Sequence, residues 1–472
     1  MKTKLRSYVL LFIVSLTSLA GCSKYTDIVP KGQNLLNRAD DLDQLMNVNY
    51  SGAAFNMNRL SLVVNDMYLL AYNVPNTISS NVLTIDKVLL TYDESVDRSD
   101  LTPTDPRYDG LYKNIAMVAN IVLMNADEAS GDKMLLEQLK AEAYVLRAYM
   151  HFLLVNMYAK AYDPGTASTD GGIPYVTDVN FEEVNVKKTV KEVYDNMLAD
   201  LEASFALNSL PDKPKNSMRI GKPFAYALKA KVLMSMRDYV GALSAANEAL
   251  KYNSTLEDHR SLLSEPVLEN RVLTRDGLQA EDNLFYAFSN SFDPSLVTPT
   301  YEILSNYYEP GNIIKDHTTV YDYQMGPIYV GLPDIPAWIA IGYEGNSGGM
   351  TVSDLVMMKA ECLIRTNKLQ DGMVEIEKIR IRRLHPDVYV PLSASTEAEA
   401  MLHLKKVSRI EFLYTWRNFV NIKRWNAEGT YAETIHRTLN GQTYTLEPNS
   451  PLYIFPFPQS ATQFNETLTQ NY

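Results

Sequence analysis

Gly345-Asn346-Ser347-Gly348-Gly349 satisfies G-x-S-x-G, the pattern of a nucleophile elbow. That turn presents a serine to a histidine and an acid for acyl transfer. An apolar run, WIAIGY, precedes it, and a helix is expected from Ser353. His385, His403 and His436 lie downstream, but the first two fall near expected hairpin and bundle helices. The pattern is read as a flexible glycine loop, with Ser353 capping the helix that follows. The six histidines show no H-E-x-x-H or paired spacing, so no metal site is expected. Asp97, Asp100, Asp105 and Asp109 crowd one loop without the residue order of a Ca²⁺ loop, and a solvated acidic loop is the expectation. No carboxylate pair can be singled out for glycosidic cleavage. The expectation is therefore a protein that is not an enzyme, with no catalytic residue and no cofactor.

Aromatic rings offer a different chemistry. The chain has 31 Tyr but only 3 Trp. Residues 252–350 are poorly periodic and rich in Pro, Gly and Tyr. Long irregular segments within a helical scaffold commonly carry function. Aromatic faces suit sugar rings, and peptides as well.

The elements that must position such a region are mostly helical. Apolar spacing predicts helices over Arg107–Ala129 and Asp132–Tyr162, with Arg147 beside Glu142 in a buried pair. Thr189–Leu207 is a further helix. Within Lys222–Leu250, Ala230, Ala242 and Ala249 are spaced as the small residues of a tetratricopeptide hairpin. Alanine at those places lets two helices approach closely. Ser353–Leu384 repeats the pattern with Ala360 and Gly372. Lys405–Trp425 reads as a helix rich in both charge and aromatic residues, so it should be buried with its ions paired. Glu411 is expected to meet Arg409 or Arg417. Cys362 reads as a small buried apolar residue.

At the N-terminus, Lys2, Lys4 and Arg6 precede an apolar run, Tyr8–Leu19, that is too short to span a bilayer. Leu19-Ala20-Gly21-Cys22 resembles a bacterial lipobox. Residues 1–21 are read as a lipoprotein signal peptide and Cys22 as the lipidation site, its acyl chains forming the anchor. Net charge is −12 and becomes more negative once the basic leader is removed. That balance disfavours nucleic acid and anionic lipid surfaces as main partners.

Several stretches, in order, resemble one family. They are the lipobox, A-E-A-x-x-L-R-A-x-x-x-F at Ala141–Phe152, GGIPYV at Gly171–Val176, and R-x-E-F-x-x-x-x-R-x-x-x-x-x-x-R-W at Arg409–Trp425. The tail adds Pro456, Pro458, Asn465, Leu468, Gln470 and Asn471. Together they resemble the SusD/RagB family of nutrient-binding outer-membrane lipoproteins. The resemblance implies a single mainly α domain over residues 22–472, with tetratricopeptide-like helical hairpins at 107–250 and 353–427 and a ligand-facing irregular region at 252–350. It also implies a cell-surface protein that binds a glycan or oligosaccharide and delivers it to a SusC-like TonB-dependent transporter without breaking bonds. Family sites draw on the regions around residues 61–106 and 252–350, which makes Tyr72, Tyr92, Tyr301, Trp338 and Tyr343 the candidate ligand contacts. The alternatives are a peptide-binding member of the same family, a surface glycoside hydrolase, and a scaffold that binds only protein.

Overall fold

A computed structural model describes residues 36–69, 74–179, 184–264, 277–289, 297–317, 346–439 and 441–472. The leader, Cys22, Tyr72, Trp338 and Tyr343 lie outside the described residues.

The longer helices form the frame. Helix α1, Lys133–Tyr158, starts where the Asp132 carboxylate accepts from Met134 N, and nearly every residue from Ala141 onward is buried. Helix α2, Val190–Leu207, packs on it and opens with a reciprocal capping box between Thr189 and Glu192. Helices α3, Lys222–Ser235, and α4, Tyr239–Tyr252, form the first hairpin. Ala230, Ala242 and Ala249 are fully buried at its seam, as the spacing predicts. Helices α5, Val352–Arg365, and α6, Leu369–Arg383, form the second. Helices α7, Glu397–Glu411, and α8, Trp416–Glu428, follow.

The second hairpin depends on Gly372. A Cβ there would stand 2.6 Å from Ile364 Cγ1 and 2.9 Å from the Ala360 carbonyl oxygen. Gly372→Ala must separate α5 from α6, and overpacking of this kind costs about 1–3 kcal/mol. A lowered thermal midpoint with an unchanged helical signal is the expected result; an unaltered midpoint would show that the seam yields freely.

The described strands make four two-stranded antiparallel ribbons. They are β1 (Met67–Leu69), β2 (Gly171–Pro174), β3 (Lys187–Thr189), β4 (Asn283–Phe285), β5 (Val297–Pro299), β6 (Met350–Thr351), β7 (Ile435–Leu439) and β8 (Gln442–Leu446). β1 pairs with β5, with Met67 opposite Pro299. β7 and β8 form a hairpin.

Several expectations are corrected. Lys405–Trp425 is two helices, because Tyr414 takes a left-handed backbone at φ 65° and Thr415 then caps α8. Glu411 pairs with Arg383 across α6 and α7, at 2.7 and 2.8 Å, rather than with Arg409 or Arg417. Arg409 goes to Asp66, and Arg417 donates to the Gly349 carbonyl at 2.7 Å. Arg147 is bound by Asp200, while Glu142 is bound by Arg219. The helix expected over Arg107–Ala129 is interrupted by a wider π-type turn at Ile115–Asn120. Asp105 is buried against Arg107 and the Tyr158 hydroxyl instead of being solvated.

The G-x-S-x-G stretch is also not a loose loop over its described residues. The Gly348 carbonyl accepts from the Tyr149 hydroxyl, and the Gly349 carbonyl accepts from Trp416 Nε1. Ser347 is buried, its hydroxyl directed at the Phe55 carbonyl, and Gly348 N donates to Ala287 O at 2.9 Å. The amide that an elbow would leave free for an oxyanion is thus occupied. Helix α5 begins at Val352, with Ser353 inside it rather than at the cap.

Candidate functional site

The polar pair Asn65-Asp66, in the middle of an apolar stretch, is a structural knot. Asp66 is fully buried. Its carboxylate accepts from Arg409 Nε at 2.6 Å and from Asn418 Nδ2 at 2.8 Å, which joins α7 and α8 to the N-terminal region. A buried carboxylate is tolerable only with such partners. Burial alone would lower the pKa of Arg409, but Asp66, then Tyr307 and Glu433, hold it well above its ordinary value.

Asn65 takes φ 61°, a conformation that Asn tolerates better than most residues. Its amide donates to the His436 carbonyl at 3.0 Å and accepts from Arg437 Nε at 2.8 Å. Arg437 is buried and also donates to the Leu89 and Leu90 carbonyls, both at 2.9 Å. Thr300 completes the knot: its hydroxyl donates to Asn65 O at 2.7 Å and its amide to Asp66 O at 3.2 Å.

Thr300 then caps a short helix, Tyr301–Asn306. Ile303 and Tyr308 anchor this segment against Met67, Ile410, Leu413 and Tyr414 in a small apolar cluster of its own. Tyr301, the first residue of the helix, is 53% exposed. Its neighbour Glu302 accepts from Thr438 N at 3.0 Å, which brings the helix to the edge of β7. On the hairpin, Ile435, Arg437 and Leu439 face inward while His436 and Thr438 face out. Thr438 meets Thr443 and His436 meets Thr445, each at 3.2 Å. Tyr301 is thus an exposed residue on a helix that Glu302 ties to a hairpin whose outer face carries hydroxyl and imidazole groups, all on a buried ionic foundation. Such a surface can stack against a sugar ring and direct its hydroxyls.

Of the expected contacts, Tyr301 fits this face. Tyr92 does not: it is in the core. It has a left-handed backbone at φ 50°, its hydroxyl donates to Val63 O at 2.9 Å, and its ring lies 4.4 Å from the Arg437 guanidinium. It supports the knot from below and has no surface to offer a ligand. The hairpin threonines and His436 were missed in the sequence. The alternation I-H-R-T-L before Asn440-Gly441 and Q-T-Y-T-L is a hairpin signature that could have found them.

Two clefts lie elsewhere: one, of about 580 Å³, is bordered by Tyr108, Tyr112, Met117, Val184 and Phe464, and the other, of about 1220 Å³, lies between residues 160–171, residues 187–189, the end of α8 and the C-terminal tail. Among the described residues no group of three or more His, Cys, Asp or Glu could hold a metal ion. No helix there is long and apolar enough to cross a membrane.

Comparison with known proteins agrees with this architecture. Residues 24–234 match a family model described as starch-binding and associating with the outer membrane, and residues 343–472 match the SusD family model. No curated protein matches. Among solved structures, a SusD superfamily protein from Bacteroides thetaiotaomicron aligns with TM-score 0.71 at 15% identity, over 92% of this chain and 100% of that one. A SusD superfamily protein from Bacteroides vulgatus aligns with TM-score 0.69 at 17% identity, over 92% and 99%. A SusD-like carbohydrate binding protein from the same species gives 0.63 at 15%, over 92% and 97%. At such identities these structures establish the shared fold, and with the two family models matching both ends, the chain belongs to the SusD/RagB family.

Proposed function

We propose that the protein is a lipid-anchored outer-membrane protein that captures a glycan and passes it to a SusC-like TonB-dependent transporter with its bonds intact. The observation that carries this reading is the exposed Tyr301, on a helix that Glu302 ties to the polar β7–β8 hairpin, over a rigid support. A preformed surface avoids the entropic cost of ordering a loop on binding. The description of the N-terminal family model, starch-binding with an outer-membrane association, supports both the ligand class and the location. The sealed environment of Ser347 supports capture without hydrolysis. Tyr72, Trp338 and Tyr343 remain part of the proposal as further ring contacts, and Cys22 as the acylated residue.

Tyr301→Ala removes the ring without disturbing the Thr300 knot. Loss of one stacking partner should weaken glycan binding about tenfold. Affinity electrophoresis of the full chain in gels containing starch or other polysaccharides reads this directly. Retardation of the native protein that the variant loses is the expected result. Equal retardation of both would remove Tyr301 from the site, and cleavage of the polysaccharide would overturn capture without chemistry.

A further inference from the structure

The cleft of about 580 Å³ lies between residues 108–117, the chain at 174–179 and 184–185, and the tail at 461–468. Three apolar side chains on its border are exposed: Met117 at 45%, Val184 at 56% and Phe464 at 78%. Single exposed apolar residues are ordinary, but three that border one cleft mark a surface made for contact. Tyr108 and Tyr112 add two aromatic rings, 4.7 Å apart. The walls are fixed. The Tyr112 hydroxyl donates to the Pro174 carbonyl at 2.8 Å, and Asn120 Nδ2 donates to the Val176 and Asp178 carbonyls at 3.2 and 2.9 Å. On the tail, Leu468 is buried and Asn465 Nδ2 donates to the Asn185 carbonyl at 2.8 Å, so Phe464 stands next to an anchored turn. Ala116 and Met117 belong to the π-type turn, a feature found frequently at functional sites.

Two exposed groups of opposite charge complete the border. Asp109 and Lys113 stand one turn apart on the helix Pro106–Asn114. Neither makes an ion pair or a side-chain hydrogen bond among the described residues. Partial burial, and then the Asp105 charge, hold the Asp109 carboxyl above its ordinary range. A hydroxyl group suits both neighbours, since it donates to a carboxylate and accepts from an ammonium. An anion would satisfy Lys113 alone and be repelled by Asp109, and an alkyl group would satisfy neither. A neutral polyol with an apolar ring face therefore matches both the charged pair and the aromatic and aliphatic walls. The volume lies within the range of about 300–1,000 Å³ usual for small-ligand sites.

We infer that this cleft is a second ligand site, taking a neutral oligosaccharide that packs on Phe464 and bonds through its hydroxyls to Asp109 and Lys113. It rests on the glycan-binding reading for the class of ligand, but it uses residues distinct from the Tyr301 face.

Affinity electrophoresis of the detergent-solubilised full-length protein tests it, in gels of starch, galactomannan or dextran, with polygalacturonate as the anionic comparison. Phe464→Ala and Lys113→Ala change exposed side chains, so neither should move the thermal midpoint, which separates loss of binding from loss of fold. In at least one neutral gel Phe464→Ala should weaken binding about five- to tenfold and Lys113→Ala about fivefold. Adding Tyr301→Ala to Phe464→Ala should weaken it further, since separate sites contribute independently. Retardation that Tyr301→Ala reduces and Phe464→Ala leaves intact would overturn the cleft and keep the first reading. Retardation that Phe464→Ala and Lys113→Ala reduce and Tyr301→Ala leaves intact would support the cleft and sink the Tyr301 face. A native protein retarded in none of the neutral gels would overturn both. Phe464-dependent retardation stronger in polygalacturonate than in every neutral gel would overturn the neutral ligand.

Discussion

Glu361→Ala should destabilise the protein by about 3–5 kcal/mol, the usual consequence of breaking a buried ion pair by removing one partner. Glu361 is 2% exposed on α5. Its oxygens accept two hydrogen bonds from Arg424 on α8, at 2.8 and 2.6 Å, and a third from Trp425 Nε1 at 3.0 Å. Arg365, one turn along α5, stands 3.7 Å away and also reaches Glu428. Burial on its own would raise the Glu361 pKa; Arg424, followed by Arg365 and the indole N–H, holds it below the ordinary carboxylate range. Alanine would leave two guanidinium groups and an indole N–H facing one another in a space closed to water. Glu428 could recover only part of this, because it already serves Arg424 at 3.1 Å, Arg365 and the Tyr239 hydroxyl. Urea unfolding at pH 7 should show a lower midpoint with an unchanged slope. The exposed Lys191–Asp195 pair on α2 is the natural control, and Lys191→Ala should not shift the midpoint measurably. A Glu361→Ala protein as stable as the native one would mean that the helices re-pack around the arginines, and that α5 and α8 are not joined by this network.

The same residues mark where the sequence stops being informative. The helices were legible because alanine spacing and caps act locally: Ala230, Ala242 and Ala249 are at the seam where a hairpin needs them. Ion partners were not legible. Arg147 finds Asp200, Glu142 finds Arg219, and Arg409 finds Asp66 across 53, 77 and 343 residues of chain. Each arginine had a nearer acid in sequence, and only the packing of helices decides between them. The break between α7 and α8 was hidden for a related reason. Tyr414 adopts a backbone that its residue type does not announce, and it is stabilised by the apolar cluster around Ile410 and Leu413. Tyr92 and Tyr301 show the limit most plainly. Both flank short helices in irregular surroundings, yet one lies under Arg437 and the other stands in solvent. Asn65-Asp66 could be seen as polar residues out of place, but their role as the foundation of the candidate face required α7, α8 and β7 to be in position.

Acidification below pH 6.5 should destabilise the protein before its carboxylates titrate, and His151 is a principal cause. His151 is fully buried in α1. Nδ1 lies 2.8 Å from the Arg147 carbonyl, and Nε2 lies 3.0 Å from Val176 N. A carbonyl needs a donor and an amide N–H needs an acceptor, so the neutral ring with its proton on Nδ1 satisfies both. The ring also stacks on Tyr175 at 3.8 Å. Protonation would turn Nε2 toward the Val176 N–H as a second donor, close to the Arg147 cation. Burial, and to a lesser degree Arg147, push its pKa down from 6.5 to about 3. Between those values the unfolded chain binds a proton that the folded one does not. Stability from this group is therefore complete above pH 6.5 and is lost as pH falls toward 3. The slope approaches 1.36 kcal/mol per unit for one proton, or about 2–3 kcal/mol between pH 6.5 and 4.5. His151→Gln keeps an acceptor within reach of Val176 N but cannot titrate. At pH 7.5 it should be less stable, through the lost stacking and the lost bond to Arg147 O. Its stability should then decline less steeply on acidification, so that the gap from the native protein narrows by about 2–3 kcal/mol over that window. His259, also buried and also pushed down to about 3, is present in both proteins and cancels in the comparison. Urea titrations at half-unit steps from pH 7.5 to 4.5 measure the gap, and parallel curves for the two proteins would show that His151 takes up its proton without leaving the fold.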